Sequence, residues 1–146
     1  MVNLSYASIS IGGQTLGLFT ARDGYGGIDS LTGIENAVGS DFGDFFVGTL
    51  NVANSFDGRP ITRVDPSYTF SLNGYGAYSD EINYTGSATV IVNLGATPLV
   101  VGTDTVAAGT ALDSVGGGGG TDTLISIERV VGGSGNDTFA GSDTSL

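Results

Sequence analysis

Apolar residues occur along the chain in short β-branched or aromatic runs, bounded by glycine and aspartate turns. In Ala88–Leu94, every second residue is apolar, and Ser67–Leu72 alternates in the same way. This period of two predicts half-buried β-strands. Leu31–Val38 leaves a single helical turn open as an alternative, because its apolar residues also have helical spacing. The pattern as a whole predicts an all-β fold of short strands.

Comparing the chain with itself reveals two related segments. Gly27–Gly48 aligns without gaps on Gly120–Gly141 at an offset of 93, with ten of 22 positions identical. A weaker match at an offset of 80 pairs Asn3–Ser8 with Asn83–Ala88. The second copy is therefore expected to carry 93 − 80 = 13 extra residues, which we place around Val101–Gly116. Fixed-offset similarity of this kind is typical of repeat architectures.

The repeats define the expected domain organisation. The two copies span about residues 3–58 and 83–146, and a connector of about 59–82 that contains Pro60 and Pro66 joins them. A length of 146 residues favours one domain. We therefore expect a single domain that covers residues 1–146.

Charge and composition exclude several classes of function. Acidic residues outnumber basic ones by 15 to 4, for a net charge of −11, which repels nucleic acid. All four basic residues are arginine, so no basic patch favours a membrane surface, and no apolar stretch is long enough to insert into one. Cysteine and histidine are absent, which leaves only oxygen donors, the ligands of hard cations such as calcium. A bound cation would offset the acidic excess and stabilise a secreted, disulfide-free fold.

Glycine-aspartate blocks fit the nonapeptide Gly-Gly-x-Gly-x-Asp-x-U-x, where U is a large apolar residue. Gly117–Ile125 and Gly132–Ala140 match completely, Gly24–Thr32 lacks one glycine, and Gly39–Val47 is more degenerate. This pattern is typical of calcium-binding parallel β-rolls, in which glycines aim backbone carbonyls inward and the aspartate adds a charged oxygen. Because calcium takes about six to eight oxygens, two loops must stack to complete a site.

The segments Thr121–Leu124, Ile127–Gly133, Gly135–Thr138 and Asp29–Asn36 resemble the repeats-in-toxin (RTX), or hemolysin-type calcium-binding, family of secreted bacterial proteins. The resemblance covers both copies. It implies a calcium-stabilised β-roll, type I export and an extracellular or cell-surface location. The chain departs from a regular β-roll, in which loops on one side recur about every 18 residues, or two nonapeptides. Asp29 to Asp44 and Asp122 to Asp137 are both 15 residues apart, which indicates a modified coil.

Carried over to the matching positions, the resemblance implies a set of calcium ligands. The alternative is that glycine-aspartate pairs only cap tight turns through side-chain hydrogen bonds. The candidate ligands are Asp122, Asp137, Asn136, Gly118, Gly120, Gly133 and Gly135, followed by Asp29 and Asp44.

These features predict a parallel β-solenoid or β-roll-like module with a structural rather than enzymatic role. A solenoid leaves open coils at both ends, so we expect self-association, as in a filament, surface layer or adhesin, or attachment to a larger chain. Met1–Gly12 has no secretory-signal pattern and Gly141–Leu146 no recognisable type I signal, which favours an excised piece or a short relative.

Two competing functions stay open. In a glycan-binding module, Tyr25, Tyr75 and Tyr78 would stack on sugars. In a polysaccharide-active enzyme, Asp80-Glu81 and Asp104 would supply the carboxyl pair, although no spacing selects a pair. The recurring Glu35 and Glu128 fit a turn hydrogen bond better than a catalytic role, and a role as metal ligands or as partners of the ligands is the alternative.

Overall fold

A computed structural model describes residues 1–11, 13–23, 25–60, 79–113 and 119–142. These residues form sixteen short strands and no helix, so the all-β prediction is confirmed. The strands are β1 (Val2–Asn3), β2 (Ile9–Ile11), β3 (Gln14–Leu16), β4 (Thr20–Arg22), β5 (Ile28–Ser30), β6 (Asn36–Val38), β7 (Phe45–Val47), β8 (Ser55–Asp57), β9 (Glu81–Asn83), β10 (Ile91–Asn93), β11 (Leu99–Val101), β12 (Asp104–Val106), β13 (Thr110–Leu112), β14 (Thr121–Ile125), β15 (Arg129–Val131) and β16 (Thr138–Ala140).

Most strands belong to two six-stranded sheets. The first sheet has the order β15-β9-β7-β1-β4-β5, and the second has the order β16-β10-β13-β14-β8-β6. Both sheets are mixed rather than parallel throughout: β4 is antiparallel to both of its neighbours in the first sheet, as is β13 in the second. The hairpins β2-β3 and β11-β12 cause this reversal, because each turns the chain back before it rejoins its sheet.

Two of the three segments discussed above as strands lie within the described residues. Ala88–Leu94 contains β10, but this strand is buried at all three positions and not on one face only, so the half-buried pattern expected there is wrong. The ambiguous Leu31–Val38 contains β6 and no helix. Ser67–Leu72 lies outside the described residues.

The hydrophobic core lies between the two sheets. Phe46 of β7 and Phe56 of β8, which belong to different sheets, have ring centroids 5.4 Å apart. Both side chains are fully buried, so this pair marks the centre of the core. The other buried members of the cluster are Leu4, Ile82, Tyr84, Val90, Val92, Ala111, Leu124 and Ile127.

The structure relates the first parts of the two copies at an offset of 90. Strands β1–β4 correspond to β10–β13, and eight of 22 positions are identical between residues 2–23 and 92–113. Asn3 shows the correspondence: its Nδ2 donates to Ala7 O and Gly17 O, as Asn93 Nδ2 donates to Thr97 O and Ala107 O. The second copy therefore gains 93 − 90 = 3 residues, between Asp113 and Gly120, instead of the thirteen expected around Val101–Gly116.

The expected offset of 80 reflects a shared turn rather than the repeat itself. Asn83 ends β9 and accepts a bond from Thr85 N at 2.9 Å, as Asn3 accepts one from Ser5 N at 3.0 Å. Strands β8 and β9 lie outside the residues that align between the copies, 2–48 and 92–141, and each pairs with strands of both aligned segments. β8 pairs with β14 and β6, and β9 pairs with β7 and β15.

Candidate functional site

Asp122 lies in the core, with an exposed fraction of 0%. Its Oδ1 accepts bonds from Asn54 N at 2.9 Å and Asn54 Nδ2 at 3.0 Å, and its Oδ2 accepts one from Tyr84 Oη at 2.8 Å. Both carboxylate oxygens are thus engaged by the protein. Burial raises the pKa of Asp122 to about 6, against the opposing effect of the Asn54 bonds. To bind a cation, Asp122 would have to exchange these partners.

Asp137 also accepts a backbone bond, from Val90 N to its Oδ1 at 2.9 Å. Asn136 is exposed beside it in the turn before β16. Gly133 and Gly135 pack so closely on the backbone of Ser87 and Ala88 that a Cβ at either glycine would overlap it. These glycines therefore allow a close approach of two chain segments.

Asp44 and Asp29 have contrasting environments. Asp44 Oδ2 accepts bonds from Ser40 N at 2.5 Å and Ser40 Oγ at 2.9 Å. Asp29 lies exposed in the edge strand β5, where no residue in the described ranges donates a hydrogen bond to its side chain. The structure does not bring the candidate ligands into one cluster: among the described residues, no group of three or more acidic side chains is arranged to hold a metal ion. Gly118 lies outside those residues, and Gly120 packs on the backbone of Val52.

The aspartates take part in a directional pattern that the motif did not reveal. Asp122 and Asp137, together with Asp80 and Glu128, lie immediately before residues that pair in a parallel ladder, and each of these side chains accepts the N–H at the same level of the neighbouring strand. Asp44 has the same position before its strand, but its side chain accepts bonds from Ser40 of its own turn. In the first sheet, Asp44 N donates to Asp80 Oδ1 at 2.6 Å, and Asp80 N donates to Glu128 Oε2 at 2.9 Å. In the second sheet, Val90 N donates to Asp137 and Asn54 N to Asp122.

A backbone bond in the opposite direction completes each of these pairs. Glu81 N donates to Asp44 O at 2.8 Å, and Arg129 N donates to Asp80 O at 3.0 Å. Thr138 N donates to Val90 O at 3.0 Å in the same way. We call this arrangement the acidic cap ladder. Its sequence signal is an acidic residue directly before a short strand, except at Asp122, which lies within β14. The same signal marks Glu35 before β6.

Among the carboxyl groups of the ladder, Asp80 has the most strongly raised pKa. It is fully buried, and its Oδ2 has no hydrogen-bond partner within the part of the chain that the structure describes. Burial raises the pKa of Asp80 to about 7, the bond from Asp44 N opposes the shift, and the carboxylates of Glu128, Asp44 and Asp57 add to it. The neighbouring Glu81 forms an ion pair with Arg129, with 2.9 Å between Glu81 Oε2 and Arg129 Nε. Arg129 lowers the pKa of Glu81, but burial has the larger effect, so the pKa of Glu81 is raised.

Within the described ranges, both sheets end in strands that have a neighbour on one side only. β5 and β15 end the first sheet, and β6 and β16 end the second. Residues 31–35 join β5 to β6, and residues 132–137 join β15 to β16, so each pair lies at one end of the molecule. We call these the β5–β6 end and the β15–β16 end. Each exposes a large apolar side chain: Val38 is 65% exposed at the first, and Phe139 is 52% exposed at the second.

A cleft of about 350 Å³ borders the β5–β6 end. Tyr6 and Phe19 meet edge to face in its wall, with ring centroids 4.8 Å apart. Its other lining residues include Leu4, Leu31, Ile34, Glu35 and Val52.

The residues considered for glycan chemistry are dispersed. Tyr25 is fully exposed, Tyr75 and Tyr78 lie outside the described residues, and Asp80 and Glu81 are buried within the first sheet. Asp104 lies in β12, part of the β11-β12 hairpin.

The chain matches no family model, no curated protein sequence and no solved structure. No described segment forms a helix long and apolar enough to cross a membrane. The RTX resemblance, calcium binding and the extracellular location therefore stay predictions.

Proposed function

We propose that this chain is a β-solenoid-like structural module that assembles end to end, so that each copy extends both sheets of the next. The observation that carries this proposal is the direction of the four edge strands. In the first sheet, β15, β9, β7 and β1 run parallel, and two antiparallel steps through β4 bring β5 back to the same direction. The second sheet has the same property for β16 and β6.

This geometry fits a translated second copy. When the β15–β16 end of one copy meets the β5–β6 end of another, β15 meets β5 and β16 meets β6, both in parallel. An end that differs from its binding partner makes a heterologous contact, which produces open filaments when the rotation does not close. Exposed strand edges also favour such addition. The proposal therefore favours a filament or surface layer over a closed dimer.

Calcium and an extracellular setting belong to the same proposal. A net charge of −11 opposes the approach of two copies, and the ladder places the carboxylates of Asp44, Asp80 and Glu128 on successive strands. A divalent cation would reduce this repulsion, and the unpartnered Asp80 Oδ2 is a buried oxygen that a cation could engage. The calcium concentration outside cells would then favour assembly.

Sedimentation and light scattering test the proposal. Chelator-treated protein is compared with protein in millimolar calcium and in millimolar magnesium, over a range of protein concentrations. We expect particles that grow with concentration, and growth that is stronger in calcium than in magnesium. A chain that stays monomeric in every condition would contradict end-to-end assembly. Growth that is indifferent to both cations would retain assembly and remove calcium from it.

Glycan binding is the second candidate, and the cleft beside the β5–β6 end is the observation that favours it. Tyr6 is 75% exposed there and offers a ring on which a sugar can stack. Retention on an immobilised polysaccharide, lost in Tyr6→Ala and kept in Tyr25→Ala, would support this function. Equal retention of both variants would contradict a role for the cleft.

A further inference from the structure

The acidic cap ladder has a polarity, and the ends of the molecule interrupt it. Along the first sheet it runs from β7 through β9 to β15, and along the second it runs from β10 to β16. At each step the next strand supplies a side-chain acceptor before its first paired residue and donates its first backbone N–H in return. The next strand beyond β15 or β16 should therefore have an acidic residue immediately before its first paired residue.

Both strands of the β5–β6 end meet this requirement. Glu35 immediately precedes β6, and Asp29 corresponds to Asp122 at the offset of 93. Asp122 caps Asn54 of an adjacent parallel strand, whereas Asp29 and Glu35 are both exposed. The two acidic residues thus occupy ladder positions at the free edge.

We infer that Glu35 and Asp29 are the binding residues of the assembly contact, where they accept backbone N–H groups from the β15–β16 end of a second copy. Glu35 binds Asp137 N, and Asp29 binds Glu128 N. This inference rests on the proposed end-to-end assembly and specifies its partner and register. The occupant of the edge is another copy of this chain, because its β15–β16 end offers strands that run in the same direction as β5 and β6 and backbone groups that complement theirs.

The backbone groups at the second-sheet edges fit this pairing. Ser55 N donates to Glu35 O, so β6 uses that carbonyl on its inner side, and the N–H of the next residue, Asn36, points to the free side of the parallel ladder. Thr138 N donates inward to Val90 O, which leaves the N–H and C=O of Asp137 on the outer side. The free groups of the two edges are therefore complementary.

The first-sheet edges are complementary in the same way, with one difference. Thr123 N donates to Asn54 O at 2.9 Å, and Ser30 corresponds to Thr123. Ser30 N of one copy is thus directed at Glu128 O of another. Glu128 N already makes a 3.2 Å bond to Asp80 O, so Asp29 shares this donor. We expect Glu35 to contribute more than Asp29 for this reason.

Exposed apolar side chains at the two ends support the same assembly contact. Phe139 corresponds to Phe46, which is fully buried beneath Phe56 and β9. Its 52% exposure shows that the equivalent cover is missing at the β15–β16 end among the described residues. A second copy brings Ala37 of β6 over Phe139 and buries the exposed Val38 at the same time.

The ladder fixes the register of the contact. The first paired residues of neighbouring strands align, as Arg129 aligns with Glu81 and Asn36 with Ser55. Across the contact, Thr138 should align with Asn36 and Ala140 with Val38.

Disulfide trapping tests this register, and the chain contains no cysteine of its own. Asn36→Cys protein is mixed with Thr138→Cys protein under mild oxidation. The control mixes Asn36→Cys with Ala140→Cys, whose side chain lies on the same side of β16 but two residues away. We expect cross-linked dimer to form at least about tenfold faster in the first mixture, because a disulfide needs Cβ atoms roughly 3.5–4.5 Å apart.

The outcomes separate the inference from the proposed function. If the wild-type chain assembles and the control mixture cross-links as fast or faster, the register is wrong and end-to-end assembly stands. If the wild-type chain does not assemble, both fail.

A second test addresses the two carboxylates. Glu35→Ala should weaken assembly by about tenfold, the effect of losing one charge-assisted hydrogen bond. Asp104→Ala, on the β11-β12 hairpin, is the charge-matched control. Because each substitution lowers the negative charge equally, repulsion alone predicts that both variants assemble better than the wild type. Equal behaviour of Glu35→Ala and Asp104→Ala, with unchanged thermal stability of both monomers, would overturn the role of Glu35.

Discussion

Asn3 and Asn93 lie 90 residues apart and hold the same turn in the two halves of the chain. Each ends a strand, is almost completely buried, and donates from Nδ2 to three backbone carbonyls. Each also accepts a backbone N–H two residues later, at 3.0 Å. The amide thus joins, through hydrogen bonds, the residues before and after each hairpin (β2-β3 or β11-β12). These bonds keep β1 beside β4 and β10 beside β13.

Replacing Asn93 with alanine should destabilise the fold by about 2–4 kcal/mol, because several buried carbonyls lose their donor. Denaturant unfolding followed by circular dichroism measures this loss. Asn83→Ala is the matched control, since the Asn83 side chain makes only local bonds, with Thr85 N and with the Glu81 side chain two residues away. A loss below about 1 kcal/mol is expected for that control. Equal losses in the two variants would contradict the structural role assigned to Asn93.

The buried carboxyls of Asp80 and Asp122 predict greater stability in acid than at neutral pH. Burial raises the pKa of Asp80 to about 7 and that of Asp122 to about 6, from an ordinary value of 3.8. Between pH 4 and about 7 for Asp80, and between pH 4 and about 6 for Asp122, the unfolded chain has therefore lost a proton that the folded chain retains. The free energy of unfolding falls as pH rises through these windows, by up to about 1.4 kcal/mol per pH unit for each group.

Asp80→Asn isolates the larger of these effects. The amide keeps an acceptor for Asp44 N and replaces the unpartnered Oδ2 with a donor. Asp80 Oδ2 and Ser126 O both lie beside the position that a Cβ on Gly58 would occupy, which makes Ser126 O a candidate acceptor for the amide. We expect Asp80→Asn to be more stable than the wild type at pH 8 and to show a flatter pH dependence of unfolding. An unchanged pH slope would contradict the buried, proton-retaining state of Asp80.

The sequence identifies the repeat but not the environment of each copy. Phe46 and Phe139 are equivalent by alignment, yet one is buried in the core and the other is half-exposed at an end. Asp122 and Asp29 differ in the same way. The difference arises from β8 and β9, which have no counterpart in either copy and cover only one member of each pair. Local patterns cannot reveal which edge a distant segment will cover.

The sequence alone also contains part of the alignment between the first four strands of the two copies. Eight identities at an offset of 90 include Asn3/Asn93 and Asp23/Asp113. A three-residue difference then separates these positions from the stronger match at 93, and the Asn83 turn gives a competing local match at 80. Short strands contain too few residues to decide between such offsets. The hydrogen bonds of Asn3 and Asn93 decide it because they join the two ends of a hairpin.

Gly120 belongs to a predicted calcium loop, but its packing predicts an effect of substitution even without calcium. A Cβ at this position would overlap the backbone of Val52. Gly120→Ala should therefore cost about 1–3 kcal/mol, as overpacking does. Gly141 has no atom near the position of an added Cβ, so Gly141→Ala should change stability by less than about 0.5 kcal/mol. A Gly120→Ala loss that appears only in calcium-loaded protein would favour the metal loop over close packing.

Substitutions of the equivalent residues Phe46 and Phe139 distinguish an effect on folding from an effect on assembly. Phe46→Ala removes a fully buried ring that packs on Phe56, and it should destabilise the monomer by about 3–5 kcal/mol. Phe139→Ala removes a half-exposed ring and should cost the monomer about 1 kcal/mol or less. If Phe139 is covered by a second copy, the same substitution raises the protein concentration needed for assembly. Thermal unfolding of dilute protein and light scattering of concentrated protein give the two readouts. Normal assembly of Phe139→Ala would show that the β15–β16 end is not the contact surface, because a buried ring cannot be lost there without effect.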